Sequence, residues 1–249
     1  MEILSQFLLR LAFGLAVGMA IKSPRLVSSG FFRNHLYVTL GLATLAALSL
    51  FQIGSPTAWF AAVAAALSFI GAACWLYEAK RAGRMLIWLV ALCALTAALL
   101  GQSTTSTTAI QVVWRSIAVA TSGLVLGLTI ASMLLGHWYL NSPGMELAPL
   151  RRLLAMAAIA VGLQAILSGI GLAAEISTLK SVQFDWLLFV VLRWSFGIFG
   201  VLGLLWMAWR TLDIPNTQSA TGILYVAVIG VFVGELTAAL LSAESAFPL

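Results

Sequence analysis

The run TGILYVAVIGVFVGELTAALLS, residues 221 to 242, holds a single charged side chain, Glu235, in an otherwise apolar stretch. A helix of about 20 apolar residues crosses a hydrocarbon core of ~30 Å, so this run predicts a transmembrane helix. Its carboxylate sets the next question. An ionised group at membrane depth costs about 3 kcal/mol on insertion scales, so Glu235 calls for a partner that answers its charge.

The rest of the chain is of the same kind. Of its 249 residues, 62% are hydrophobic and 8% charged, and the mean hydropathy is +1.06; a soluble domain carries roughly 25% charged residues. Further apolar runs cover residues 3–21, 36–52, 57–78, 85–101, 109–139, 150–174 and 184–209. They are continuous rather than alternating, which predicts helices, since only helices or closed barrels cross a membrane with every backbone group paired. All six prolines fall outside these runs or at their edges, as the segmentation requires. The expected fold is therefore an all-α polytopic bundle of about eight transmembrane helices, one membrane domain over residues 1–249, with short connections and no internal repeat in the sequence. The first run opens on Glu2, lacks a basic leader and carries Arg10, so it reads as a retained helix rather than a signal peptide. Cys74 and Cys93 stand apart without C-x-x-C spacing and read as small core residues.

Basic residues collect on the cytoplasmic side of membrane proteins. Of the thirteen here, Lys22, Arg25, Arg33, Lys80, Arg81, Arg84, Arg151, Arg152 and Arg210 follow odd-numbered runs, and only Lys180 sits in a loop on the other side. Both termini are expected outside, in a plasma (inner) membrane with the basic loops cytoplasmic. The net charge of +5 then follows from topology, and no nucleic-acid partner is implied. Trp59, Trp114 and Trp186 open runs at the outer face and Trp138 and Trp209 close them at the inner one, as interfacial belts do.

Three arginines remain inside the runs. At ~1.5 Å per residue, Arg10 lies about 10 Å, Arg115 about 9 Å, Arg193 about 13 Å and Glu235 roughly 10 Å from the outer end of its helix. Rare charges at one level on four helices suggest a common site. Arg193 and Glu235 lie on consecutive antiparallel helices, so an Arg193–Glu235 ion pair is expected; such a pair either locks two helices or walls a pocket. Arg115 and Arg10 either snorkel to the outer interface or point inward. Inward, they create positive potential suited to a polarised carbonyl, a phosphate or a carboxylate.

The stretch LFQIGSPTAWF, residues 50 to 60, resembles the H-x-G-x-P-x-x-A-[FW] motif of the membrane-anchor subunits of DMSO reductase, within the polysulfide-reductase (NrfD-like) superfamily. That family has eight helices with both termini outside, an Arg in the seventh and G-E-L in the eighth, which Arg193 and Gly234–Glu235–Leu236 resemble; AAEISTLKSVQ, residues 173 to 183, is similar to the segment before its seventh helix. The resemblance implies a quinol-reactive subunit that docks an iron–sulfur protein and a molybdenum-type catalytic subunit. Gln52 stands where the family has a His associated with quinol chemistry, and the following segment is too short for the family's acidic quinol-site residue. Gln52 can hydrogen-bond a quinone carbonyl but cannot carry its proton.

The expected function is a membrane-anchor subunit of a respiratory oxidoreductase in electron transport, with quinone bound in the outer half by Gln52, Arg10, Arg193 and Glu235. No covalent or metal cofactor is expected in this chain. The alternatives are a carrier or flippase for an anionic lipid or small anion, and a structural scaffold. His35 and His137 offer a lesser alternative as axial ligands to a b-type haem, although each also suits an aromatic-flanked interface. Gly14 and Gly18, and Gly197, Gly200 and Gly203, recur at the spacing that lets helices approach closely. The polar QSTTSTT loop, residues 102 to 108, reads as an outer turn.

Overall fold

The computed structural model describes residues 2–102, 108–142, 144–178, 183–245 and 247–249. Lys180, Pro143, the centre of the 102–108 loop and part of the 173–183 segment lie outside the described residues. The chain is an all-α polytopic bundle, and among the described residues eight helices are long and apolar enough to cross a membrane. They are α1 Glu2–Ala20, α2 Ser29–Gln52, α3 Ala58–Leu76, α4 Lys80–Leu100, α5 Ala109–Asn141, α6 Ala148–Thr178, α7 Phe184–Thr211 and α8 Thr217–Glu244.

Several helices outrun their apolar segments. Helix α2 starts at Ser29 rather than residue 36, α4 at Lys80 rather than 85, and α8 at Thr217 rather than 221. Hydropathy marks only what lies in hydrocarbon, whereas the hydrogen-bonded backbone continues into the interface. Local chemistry sets the true ends. Thr108 and Gln111 form a reciprocal capping box at the start of α5, which satisfies two helix-end donors. The Asn216 side chain accepts from Ser219 N–H at 2.9 Å to start α8. Asn216→Ala is expected to cost about 1 kcal/mol, read as a thermal midpoint lower by roughly 2–4 °C. Turns use left-handed backbone where needed, at Gly54 (φ 67°) after α2 and at Glu78 (φ 57°) after α3, so Glu78 leaves the helix expected to contain it.

The helices pack as two rings of four. Each of α1 to α4 packs on the next and α4 closes on α1; α5 to α8 repeat this connectivity, with α8 closing on α5, and α1 against α5 is the main contact between rings. This repetition of topology has no counterpart in the sequence. It makes α1 central: 67% of its span is buried, against 22% for α7.

Small residues dictate the α1–α5 joint. A Cβ on Gly14 would lie 1.7 Å from the Gly123 carbonyl oxygen, and one on Gly127 would lie 1.8 Å from Gly14 C. Only glycine permits that backbone approach. At the basic end, aromatic and polar contacts tie the loops together. Trp75 stacks on Phe32 at 4.2 Å, Ser29 Oγ donates to Glu78 at 2.9 Å, and Arg151 donates to the Leu212 carbonyl and pairs with Asp213. The opposite end carries the described residues nearest both termini, which line one cavity.

Candidate functional site: a charged cavity at the terminal end of the bundle

The site is built from two glycine-enabled helix crossings. In α7 the backbone from Arg193 to Gly200 forms a π-helical segment, a rare local widening that recurs at functional positions. There Gly197 meets Gly234 of α8 backbone to backbone, a Cβ on either falling 2.5–2.6 Å from the other's Cα. A Cβ on Gly234 would also lie 3.2 Å from Arg193 Nη1. The glycine of G-E-L thus makes room for the guanidinium that its glutamate binds.

Arg193 Nη1 donates to Glu235 Oε1 at 2.8 Å, with both side chains 2% exposed. The other carboxylate oxygen accepts a short hydrogen bond from Ser122 Oγ of α5. Ser122 Oγ in turn accepts a long, 3.5 Å contact from Arg10 Nη1 of α1. One residue from Ser122, the Gly123 carbonyl sits in the α1–α5 joint, which is why the two helices bring Arg10 within reach. The result is a chain Arg193–Glu235–Ser122–Arg10 across four helices, with one anion between two cations.

This chain borders a cavity of about 290 Å³ that opens toward the terminal end. Each major wall is a helical stripe at three- and four-residue spacing: Gln6 and Arg10 from α1, Arg115, Val119 and Ser122 from α5, and Glu235, Ala238 and Ser242 from α8. That spacing is one face of a helix. Gln164 of α6 closes the deep end, its Oε1 accepting from Thr121 at 2.5 Å. Arg115 lines the cavity, and its Nη2 donates at 3.0 Å to the carbonyl of Ser245, just beyond the end of α8. Arg10 lines it as well, and its buried Nε has no hydrogen-bond partner among the described residues.

The expected site residues are not all together. Arg10 and Glu235 line the cavity, and Arg193 stands behind it. Gln52 does not line it and is exposed at the end of α2. The buried stripe of α2 runs through Thr39, Ala43, Ala46 and Leu50, and Gln52 lies about 200° round the helix from Leu50. The two histidines also differ in setting. His35 is buried, its Nδ1 2.5 Å from the Phe31 carbonyl and its ring 4.0 Å from that of Phe31, whereas His137 is exposed.

Fold and site together define a polytopic α-helical membrane protein with a charged cavity set into one half of the bundle. No family model, curated protein or solved structure matches the chain.

Proposed function

We propose that this chain is the membrane-anchor subunit of a respiratory oxidoreductase, and that its cavity receives a quinone or quinol head group. The observation that carries the reading is the Arg193–Glu235–Ser122–Arg10 chain at the wall of a cavity in the half of the bundle nearer the termini. The volume, about 290 Å³, is near the lower end of the roughly 300–1,000 Å³ typical of small-molecule sites. Alanines of α5 and α8 offer apolar surface to a ring, and the guanidinium of Arg10, which lines the cavity, serves as the donor to its carbonyl. On this reading Glu235, held by Arg193 and Ser122, takes a proton from a quinol hydroxyl, a role that an amide such as Gln52 cannot fill. On this reading an iron–sulfur protein and a molybdenum-type catalytic subunit dock at the terminal face, outside an inner membrane, and the basic loops are cytoplasmic.

A second reading, a carrier for a small anion or an anionic lipid, draws on the same charges. Arg10, Arg115 and, behind the wall, Arg193 face Glu235 and, at the mouth, Glu2. The cations are in excess.

Binding of a short-chain quinone analogue, followed by tryptophan fluorescence of the reconstituted chain, tests the first reading. Losing a hydrogen bond from a charged donor is worth about 1.5–3 kcal/mol, so Arg10→Leu is expected to weaken binding roughly 10- to 100-fold. Gln52→Ala is expected to bind as the parent does. Equal affinity in Arg10→Leu and the parent chain would remove the quinone reading, and uptake of a labelled anion into vesicles would favour the carrier.

A further inference from the structure

Gln164 of α6 lines the terminal-end cavity but is no part of the Arg193–Glu235–Ser122–Arg10 chain. A primary amide inside an apolar helix is costly unless it is hydrogen-bonded, and Gln164 is only 5% exposed. Among the described residues its side chain makes one hydrogen bond, between Oε1 and Thr121 Oγ1 at 2.5 Å. The amide nitrogen makes none, and it is not sealed within the protein as Arg10 Nε and Gln6 Oε1 are. The far end of the amide is therefore open to the cavity that the residue lines.

Thr121 leaves that amide two ways to sit. Its hydroxyl carries one proton and has three described oxygens in reach: the Ile117 carbonyl at 3.0 Å, the Ala118 carbonyl at 3.1 Å and Gln164 Oε1. A hydroxyl both donates and accepts. With its proton directed at Gln164, Thr121 holds the amide oxygen, and the amide NH2 group faces the cavity. With its proton on the Ile117 carbonyl, the back-bond of a helical threonine, Thr121 accepts from the NH2 group and the amide oxygen faces the cavity instead. Both states keep the inner end of the amide paired, and a half-turn of the amide converts one into the other. The deep wall thus offers a donor or an acceptor, whereas the guanidinium of Arg10 only donates. Arg10 meets α5 at Ser122 and Gln164 meets it at Thr121, positions about 100° apart round the helix. The two groups enter the cavity from different sides.

We propose that Gln164 is the specificity-determining contact for the second ring oxygen of the ligand, its amide turning to donate to a quinone carbonyl and to accept from a quinol hydroxyl. Resting on the quinone reading of the cavity, this contact gives the ring a second anchor and lets one site hold both redox forms. A ligand whose second oxygen never changed between carbonyl and hydroxyl would need only one state of the amide.

The test compares a short-chain hydroquinone, its oxidised quinone and the corresponding phenol, which lacks the second oxygen, on the full chain in nanodiscs. Gln164→Met, unbranched but without an amide, is expected to weaken binding of the hydroquinone and of the quinone each about three- to tenfold, the worth of a neutral hydrogen bond. It is expected to leave the phenol unchanged, because a single oxygen goes to the stronger, charged donor Arg10. Gln164→Leu carries the same expectation and serves if Gln164→Met does not fold. Loss of affinity for only one redox form means a fixed amide and overturns the proposal. An equal loss for the phenol also overturns it, since the side chain then only shapes the cavity. Arg10→Leu separates the two possible failures. If it weakens both forms while Gln164→Met binds both as the parent chain does, the Gln164 contact alone is wrong. A parent chain that binds neither form removes the quinone reading and the Gln164 contact with it.

Discussion

Glu235→Ala is expected to lower the thermal midpoint of the protein in detergent by roughly 10 °C or more, the equivalent of about 3–5 kcal/mol. The reason is what the substitution leaves behind. Arg193 and Glu235 are both 2% exposed and 2.8 Å apart, so removing the carboxylate strands a buried guanidinium whose Nε and Nη2 already lack partners among the described residues. Ser122 loses its acceptor as well. Removing both charges has a different outcome. A buried pair replaced by apolar side chains of similar volume is often neutral or stabilising, so Arg193→Met with Glu235→Leu is expected to recover most of the lost stability. If the single variant melts within about 2 °C of the parent chain, the pair is not the electrostatic centre of the α7–α8 contact. The double variant also separates stability from binding: it is expected to fold and yet not bind the quinone analogue, because Glu235 lines the cavity.

The fold was legible because its signal is a matter of length and charge. Eight apolar runs with prolines at their edges leave few alternatives, and each run corresponds to one helix. The boundaries of α2, α4 and α8 were not legible, since residues such as Arg33 and Lys80 read as loop while the backbone was still helical. Arg193, Glu235 and Arg10 stood out in the sequence because a charge in an apolar run is rare. Ser122 and Gln164 did not stand out. Hydroxyls in such helices usually bond back to their own backbone, as Ser116 and Ser132 do here, and nothing local marks Ser122 as the one that turns to a carboxylate on another helix. That Gln52 lies away from the cavity was hidden for a related reason: a short motif identifies a residue but not the face of the helix on which it lies. The glycine spacing of α1 was visible, whereas its partner in α5 depends on how the two rings meet, a long-range property.

That joint carries the second large effect. Gly14→Ala is expected to destabilise the protein by about 3 kcal/mol, the upper part of the usual overpacking range. The added methyl would sit 1.7 Å from the Gly123 carbonyl oxygen, 2.7 Å from its carbon and 2.9 Å from Gly127 Cα. All three atoms are backbone, so no rotamer change relieves the clash, and α1 and α5 must move apart. Glycine itself disfavours helix by roughly 0.5–1 kcal/mol relative to alanine, so the same substitution in open space should be neutral or stabilising. Gly162→Ala and Gly203→Ala provide that comparison, since a Cβ at either meets nothing within 4 Å. The displacement also reaches the cavity. Arg10 lies one turn from Gly14, and its contact with Ser122, adjacent to Gly123, is already 3.5 Å long; any separation takes it beyond hydrogen-bond range. Gly14→Ala is thus expected to lower both the thermal midpoint and the affinity for the quinone analogue, while Gly162→Ala and Gly203→Ala change neither by much. Should Gly14→Ala melt and bind as those two do, α1 and α5 do not cross at these glycines, and the route by which Arg10 reaches Ser122 must be a different one.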